Sequence, residues 1–158
     1  MTAAADVAAA PALPPRSGLV FGCLIAAVVV TTLYWVIWFF VDRSILASAN
    51  TESYYVFENA FPVADGWLVV TALLGAIAMR KRRASTLLWC LCGGSASLYL
   101  AGMDILFDLE NGIYKAPTGD WGGVVVEALI NAATFFLGAY VVHWSWKHRR
   151  VLVALDGF

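Results

Sequence analysis

The side chains most capable of chemistry in this chain are acids near the ends of long apolar runs. Asp104 and Asp108 stand four residues apart toward the end of one run, so on a helix they share a face. Glu127 and Asn131 have the same spacing inside the next run. Carboxylates within hydrocarbon are costly and default to a functional interpretation. These four residues, together with Asp65 at the start of an earlier run, are the candidate ion, proton or polar site.

The composition indicates that the acids belong to a membrane protein of one domain. Of 158 residues, 61% are hydrophobic and 13% are charged, with a mean hydropathy of +0.77. A soluble domain usually has about 25% charged residues. The apolar residues form runs near the roughly 20 residues that a helix needs to cross a bilayer. Because the net charge is −1, no nucleic-acid partner is expected.

These runs predict an all-α integral membrane protein whose four transmembrane helices form a bundle. The predicted spans are residues 18–41, 62–79, 84–110 and 121–146. Residues 1–17 are rich in Ala and Pro and predict a disordered tail; residues 147–158 form a short basic tail. A signal peptide cleaved after 47–49 is the alternative to the first span, but the run exceeds the roughly 7–15 apolar residues of such a peptide.

The distribution of cations predicts that both termini are cytoplasmic. Four spans place eight cations on the side of the termini: Arg16, Arg80, Lys81, Arg82, Arg83, Lys147, Arg149 and Arg150. Only Arg43 and Lys115 fall on the other side. The abundance of Ala, Gly and Val and the excess of Arg over Lys are typical of a GC-rich bacterial genome. The expected location is therefore the plasma membrane, here a bacterial inner membrane.

The depth of the acids predicts where they meet. Asp104 lies about 12 Å before the helix stop at Gly112, and Glu127 about 10 Å past the start of the fourth span. Since these spans are antiparallel, both carboxylates should reach a similar level in the outer leaflet, with Asp65 at or just above it. We therefore predict an outward-facing acidic pocket between the second, third and fourth spans, with Asn131 beneath it.

Each acid also has a purely structural interpretation. Asp65 could compensate the dipole of a helix N-terminus, and Asp108 could lie in headgroup water. Glu127 and Asn131 could join helices by hydrogen bonds. Asp104 could form an ion pair with an outer cation, either Arg43 or Lys115.

Small residues in the third span predict a helix-packing surface. Gly93, Ser97 and Ala101 recur every four residues, which lets another backbone approach closely. The expected partner is a helix of the same bundle. Asp104 follows Ala101 by three residues, so the acid should point toward protein rather than lipid.

Other reactive side chains do not assemble into a site. Cys23, Cys90 and Cys92 form no C-x-x-C pair and are expected to be buried, inert thiols. His143 is the only histidine near a span and His148 lies in the tail, so a bis-histidine haem or a zinc site lacks ligands. No nucleophile triad can be formed. No cofactor is predicted; the oxygen ligands suit a hard cation (Ca²⁺, Mg²⁺ or Mn²⁺) or a proton.

Three functions remain open at this stage. The first, and the one we favour, is a transporter or channel subunit that binds a proton or cation in the acidic pocket, as a homo-oligomer or with a partner membrane protein. The second is a non-catalytic accessory protein whose acids are structural. The third is a metal-dependent lipid-modifying enzyme using Asp104 and Asp108; an enzyme is the less favoured interpretation.

Overall fold

The computed structural model describes residues 12–47, 49, 51–116, 119 and 121–156 and is helical, without strands, in these ranges. Helix α1 spans Ser17–Ile37 and continues as a π turn, Trp38–Asp42, and a 3-10 turn, Arg43–Ile45. The next helices are α2 (Glu52–Glu58), α3 (Pro62–Arg80), α4 (Ser85–Asn111), α5 (Trp121–Lys147) and α6 (Arg149–Val153). The first eleven residues of the predicted N-terminal tail, and the last two of the chain, lie outside the described residues.

Four helical stretches in the described part are long and apolar enough to cross a membrane: Ser17–Ile45, Glu52–Arg80, Ser85–Asn111 and Trp121–Lys147. Long apolar side chains along α1 and α5, such as Val30, Leu129 and Phe136, are more than half exposed. A helix that exposes this much apolar surface is typical of one that faces lipid.

Local sequence signals account for several helix ends. Pro62 begins α3 at its first position, where the missing amide hydrogen is not needed. Gly112 follows α4 with a φ of 69°, a left-handed conformation that favours glycine. The ordinary α-helix of the first span stops at Ile37 rather than at Val41, because the chain widens into the π turn there.

Helix α4 packs against both α3 and α5, and small residues set both contacts. A Cβ added at Gly93 would lie 3.4 Å from the Ala72 nitrogen of α3. Toward α5, a Cβ at Gly94 would lie 3.0 Å from the Gly138 carbonyl oxygen, and the Ser97 hydroxyl donates to the Thr134 carbonyl at 2.9 Å. Ala101 is fully buried. The predicted ladder therefore contacts two neighbouring helices rather than one.

The bundle has two different ends, which we call the terminal end and the cavity end. At the terminal end, the start of α1, the end of α3 and the ends of α5 and α6 meet around a core that includes Val20, Met79, Cys90, Trp144 and Leu152. Cys90 is fully buried, and Cys23 and Cys92 are half-buried. At the cavity end a smaller cluster of Phe61, Leu68 and Leu100 leaves room for a cavity.

Candidate functional site

A cavity of about 590 Å³ occupies the cavity end. Its wall is built by α1, α2, α3, α4 and α5 and by the segment after α1. Four carboxylates from four helices line it: Glu58 on α2, Asp65 on α3, Asp104 on α4 and Glu127 on α5. The remainder of the wall is largely apolar, with Tyr34, Tyr54, Asn131 and Thr134 as further polar contributors.

Asp104 is the carboxylate with the fewest polar contacts. Its side chain forms no hydrogen bond to another described residue, although it is only partly exposed. The charged groups near enough to act on it are other carboxylates, those of Glu58, Asp65, Glu127 and Asp108. An ionised Asp104 in this position would be opposed by like charges.

Helix α1 supplies hydrogen-bond donors to two of the other acids. The Tyr34 hydroxyl donates to Glu58 Oε2 at 2.8 Å, and the Trp35 indole Nε1 donates to Asp65 Oδ2 at 2.9 Å. Tyr54 also forms a hydrogen bond with Glu58. These bonds fix the orientation of both carboxylates and connect α1 to α2 and α3.

Beside the cavity, Asn131 is the centre of a polar network between α4 and α5. Its Nδ2 donates to Asp108 Oδ2 at 2.9 Å and to the Tyr114 hydroxyl at 3.2 Å, and it lies 3.5 Å from Glu127 Oε1. Asp108 and Asn131 are only 2% and 3% exposed. An amide nitrogen has two hydrogens, so the two shorter contacts account for them and the third is weak.

Tyr114, in the short 3-10 turn Ile113–Lys115, adds a second donor to this network. It forms a hydrogen bond with Asp108. Burial, the largest effect, raises the pKa of the Tyr114 phenol above its ordinary value, so the group stays protonated and can donate. Asp108 is thus held by an amide and a phenol and is almost fully buried.

The structure brings together the residues that the sequence singled out. Asp65, Asp104, Glu127 and Asn131 line one cavity, and Asp108 adjoins it through Asn131. Sequence reasoning missed Glu58, because it lies between the predicted spans 18–41 and 62–79 and the candidate acids were sought within or at the start of a span. It also missed Tyr34, which the abundance of aromatic residues at the end of the first span obscured. The sequence did contain a signal for Glu58, because the four predicted spans place this acid on the same side as the other acids.

Arg43, at the cavity end, does not serve as the ion-pair partner of Asp104. Its guanidinium lies 4.1 Å from the centroid of the Tyr55 ring, a cation–π contact. Among the described residues, no three His, Cys, Asp or Glu side chains are grouped closely enough to hold a metal ion. The cavity is thus wide and acidic rather than a compact cage of ligands.

The fold and the site together define an all-helical protein with four candidate membrane-spanning helices and an acidic cavity between them at one end. Comparison of the chain with protein-family models, with curated proteins and with solved structures finds no match.

Proposed function

We propose that this protein is a plasma-membrane transporter or channel subunit, with cytoplasmic termini, that binds a proton or a small cation in the outward-facing acidic cavity. Support for insertion comes from the four long apolar helices and their exposed apolar side chains. Support for the orientation comes from the cations, eight of which belong to the terminal end and two to the cavity end.

The observation that carries the proposal is the convergence of Glu58, Asp65, Asp104 and Glu127 on one cavity. Four ionised carboxylates in a poorly hydrated space repel one another, and a bound proton or cation relieves that repulsion. If these acids were purely structural, each would need only one hydrogen-bond partner. Asp104 has no hydrogen-bond partner among the described residues, so the fold does not explain it.

The size of the cavity limits which ligands it could bind. About 590 Å³ is within the range of roughly 300–1,000 Å³ that small-molecule sites occupy. Because no three acids form a compact group within the part of the chain that the structure describes, a fully dehydrated divalent ion is disfavoured. The geometry favours a proton, a cation that keeps part of its water, or a small organic cation that the Tyr34 and Tyr54 rings could contact. Since four helices enclose little pore, a channel would need several copies.

The test is the thermal stability of the purified protein across pH and a panel of inorganic and organic cations. A ligand that binds the folded state raises the melting temperature by mass action, by roughly 5–10 °C at a hundredfold excess over its Kd. Asp104→Asn should remove this response while the protein still folds. Uptake of the stabilising ion into proteoliposomes should then be lost in the same variant.

The matched control is Glu110→Gln, which neutralises an exposed acid on the same helix that does not line the cavity. This variant should respond to pH and cations as the unaltered protein does. Flat stability curves for every ion and pH, or an unchanged response in Asp104→Asn, would overturn the proposal.

A second candidate is a non-catalytic accessory protein, and one observation favours it. Three of the polar contacts around the cavity join different helices: Tyr34 to Glu58, Trp35 to Asp65 and Asn131 to Asp108. Such bonds stabilise a bundle without any ligand. In that case Asp104→Asn would leave stability unchanged or increase it, with no dependence on ions.

A further inference from the structure

The terminal end of the bundle gathers most of the cations of the chain onto one surface. We call this surface the basic face: Arg16, Arg80, Lys81, Arg82, Arg83, Lys147, Arg149 and Arg150. Two contacts bring its segments together. The Trp144 indole donates to the Pro15 carbonyl at 2.8 Å, and Leu152 of α6 is buried in the core that contains Val20 and Met79. The basic face is thus a product of the fold and not only of the sequence.

The charges of the basic face are not neutralised within the described part of the chain. All of its members except the partly buried Arg149 are exposed. No ion pair between any of them and a carboxylate is present among the described residues. By sequence, the only acids in the flanking tails are Asp6 and Asp156. A cluster this basic attracts an anionic partner.

Exposed apolar side chains flank the C-terminal cations of the basic face. Trp146 precedes Lys147, Arg149 and Arg150 in the chain, and Val151 and Val153 follow them; these three apolar side chains are 58%, 40% and 59% exposed. The Arg149 guanidinium lies 4.6 Å from the Trp146 ring centroid and donates to the Trp146 carbonyl at 2.8 Å. Cations mixed with Trp and Val suit the boundary between headgroups and acyl chains.

We infer that the basic face binds the phosphate groups of anionic phospholipids in the membrane that the bundle spans. Charge complementarity selects the partner, since the cytoplasmic leaflet is the anionic one, and the flanking apolar side chains favour a lipid over a soluble anion. Of the proposed function, the inference requires insertion in the membrane with the terminal end on the cytoplasmic side. It is independent of what the cavity binds.

The experiment titrates phosphatidylglycerol or phosphatidylcholine into the purified full-length protein in neutral detergent and follows thermal unfolding. Phosphatidylglycerol should raise the melting temperature at a much lower concentration than phosphatidylcholine. Each cation lost weakens headgroup binding about fivefold. The variant R80Q/K81Q/R82Q/R83Q loses four cations and should therefore need roughly 600-fold more phosphatidylglycerol. K147Q/R150Q, which removes two exposed cations, is the second variant if the first does not fold.

The matched controls separate this surface from the remainder of the protein. R43Q/K115Q removes the two cations of the cavity end, and Asp104→Asn alters the cavity; both should keep the preference for phosphatidylglycerol. Equal effects of the two lipids, or an unchanged preference in both basic-face variants, would overturn the inference. Stabilisation by inorganic phosphate alone, at the same concentration as the lipid, would also overturn it, because the ligand would then be a free anion.

Discussion

Asn131 connects α5 to α4 by a hydrogen bond beside the cavity. Its amide satisfies Asp108 and Tyr114 where both Asn131 and Asp108 are almost fully buried. Without it, Asp108 would keep a single phenol donor, and an under-satisfied buried carboxylate is expensive. The network therefore holds the wall of the cavity in place.

We predict that Asn131→Ala destabilises the protein by about 1 kcal/mol, within the range measured for hydrogen bonds between membrane helices. A double-mutant cycle with Asp108→Ala, read by thermal unfolding, should recover a coupling energy of similar size. Asn111→Ala is the control, because that exposed amide bonds only to the Phe107 carbonyl of its own helix. A coupling energy of zero would contradict the bridging role.

For single residues, the sequence predicted which residue types form the site and how they are spaced, but it predicted less well which side chains contact one another. The four-residue spacing of Glu127 and Asn131 correctly placed them on one helix face, where their side chains lie 3.5 Å apart. The bond from Asn131 to Asp108 could not be predicted, because it depends on how α4 and α5 are rotated about their axes. Glu58 was missed because it precedes the predicted span 62–79, although the structure places it on helix α2.

Helix α4 can pack between α3 and α5 because it has glycines on the two faces that contact them. Gly93 allows α3 to approach, and Gly94 and Gly138 allow close contact between α4 and α5. A Cβ added at either of these two glycines would lie 3.0 Å from the carbonyl oxygen of the other. Sequence reasoning selected Gly93, Ser97 and Ala101 and passed over Gly94 and Gly138. A four-residue period identifies one line of small residues along a helix. A helix that packs against two neighbours needs a second line of small residues.

We predict that Gly138→Ala costs about 1–3 kcal/mol, because its Cβ would lie 2.9 Å from Ser97 Cβ and 3.0 Å from the Gly94 carbonyl oxygen. Gly102→Ala is the matched control on α4. Nothing lies within 4 Å of its added Cβ, and alanine there should stabilise the helix by about 0.5–1 kcal/mol. Thermal unfolding of the two variants should give shifts of opposite sign; equal shifts would contradict the packing.

At the scale of the whole molecule, the two ends carry opposite charges. The cavity end contains most of the acids, and the terminal end contains eight of the ten Lys and Arg residues. Helices α3, α4 and α5 begin and end within one residue of the predicted 62–79, 84–110 and 121–146. The length of each apolar run was enough to predict these bounds, because it can be read directly along the sequence. The cavity is a property of five packed elements, so its shape could not be read from run lengths.

The orientation is tested by single cysteines in a background that lacks Cys23, Cys90 and Cys92. Ser53→Cys at the cavity end and Lys81→Cys at the terminal end both replace exposed residues. In intact cells, a membrane-impermeant maleimide should label Ser53→Cys and leave Lys81→Cys unlabelled until the cells are opened. The reverse pattern would place the termini outside.

One contact has a practical consequence. Since the Trp35 indole donates to the Asp65 carboxylate, a change of charge on that acid alters the electric field across a fluorescent ring. The protein thus contains an optical probe of its own cavity, which can follow occupancy without an added label and whose contribution is isolated by subtracting the emission of Trp35→Phe.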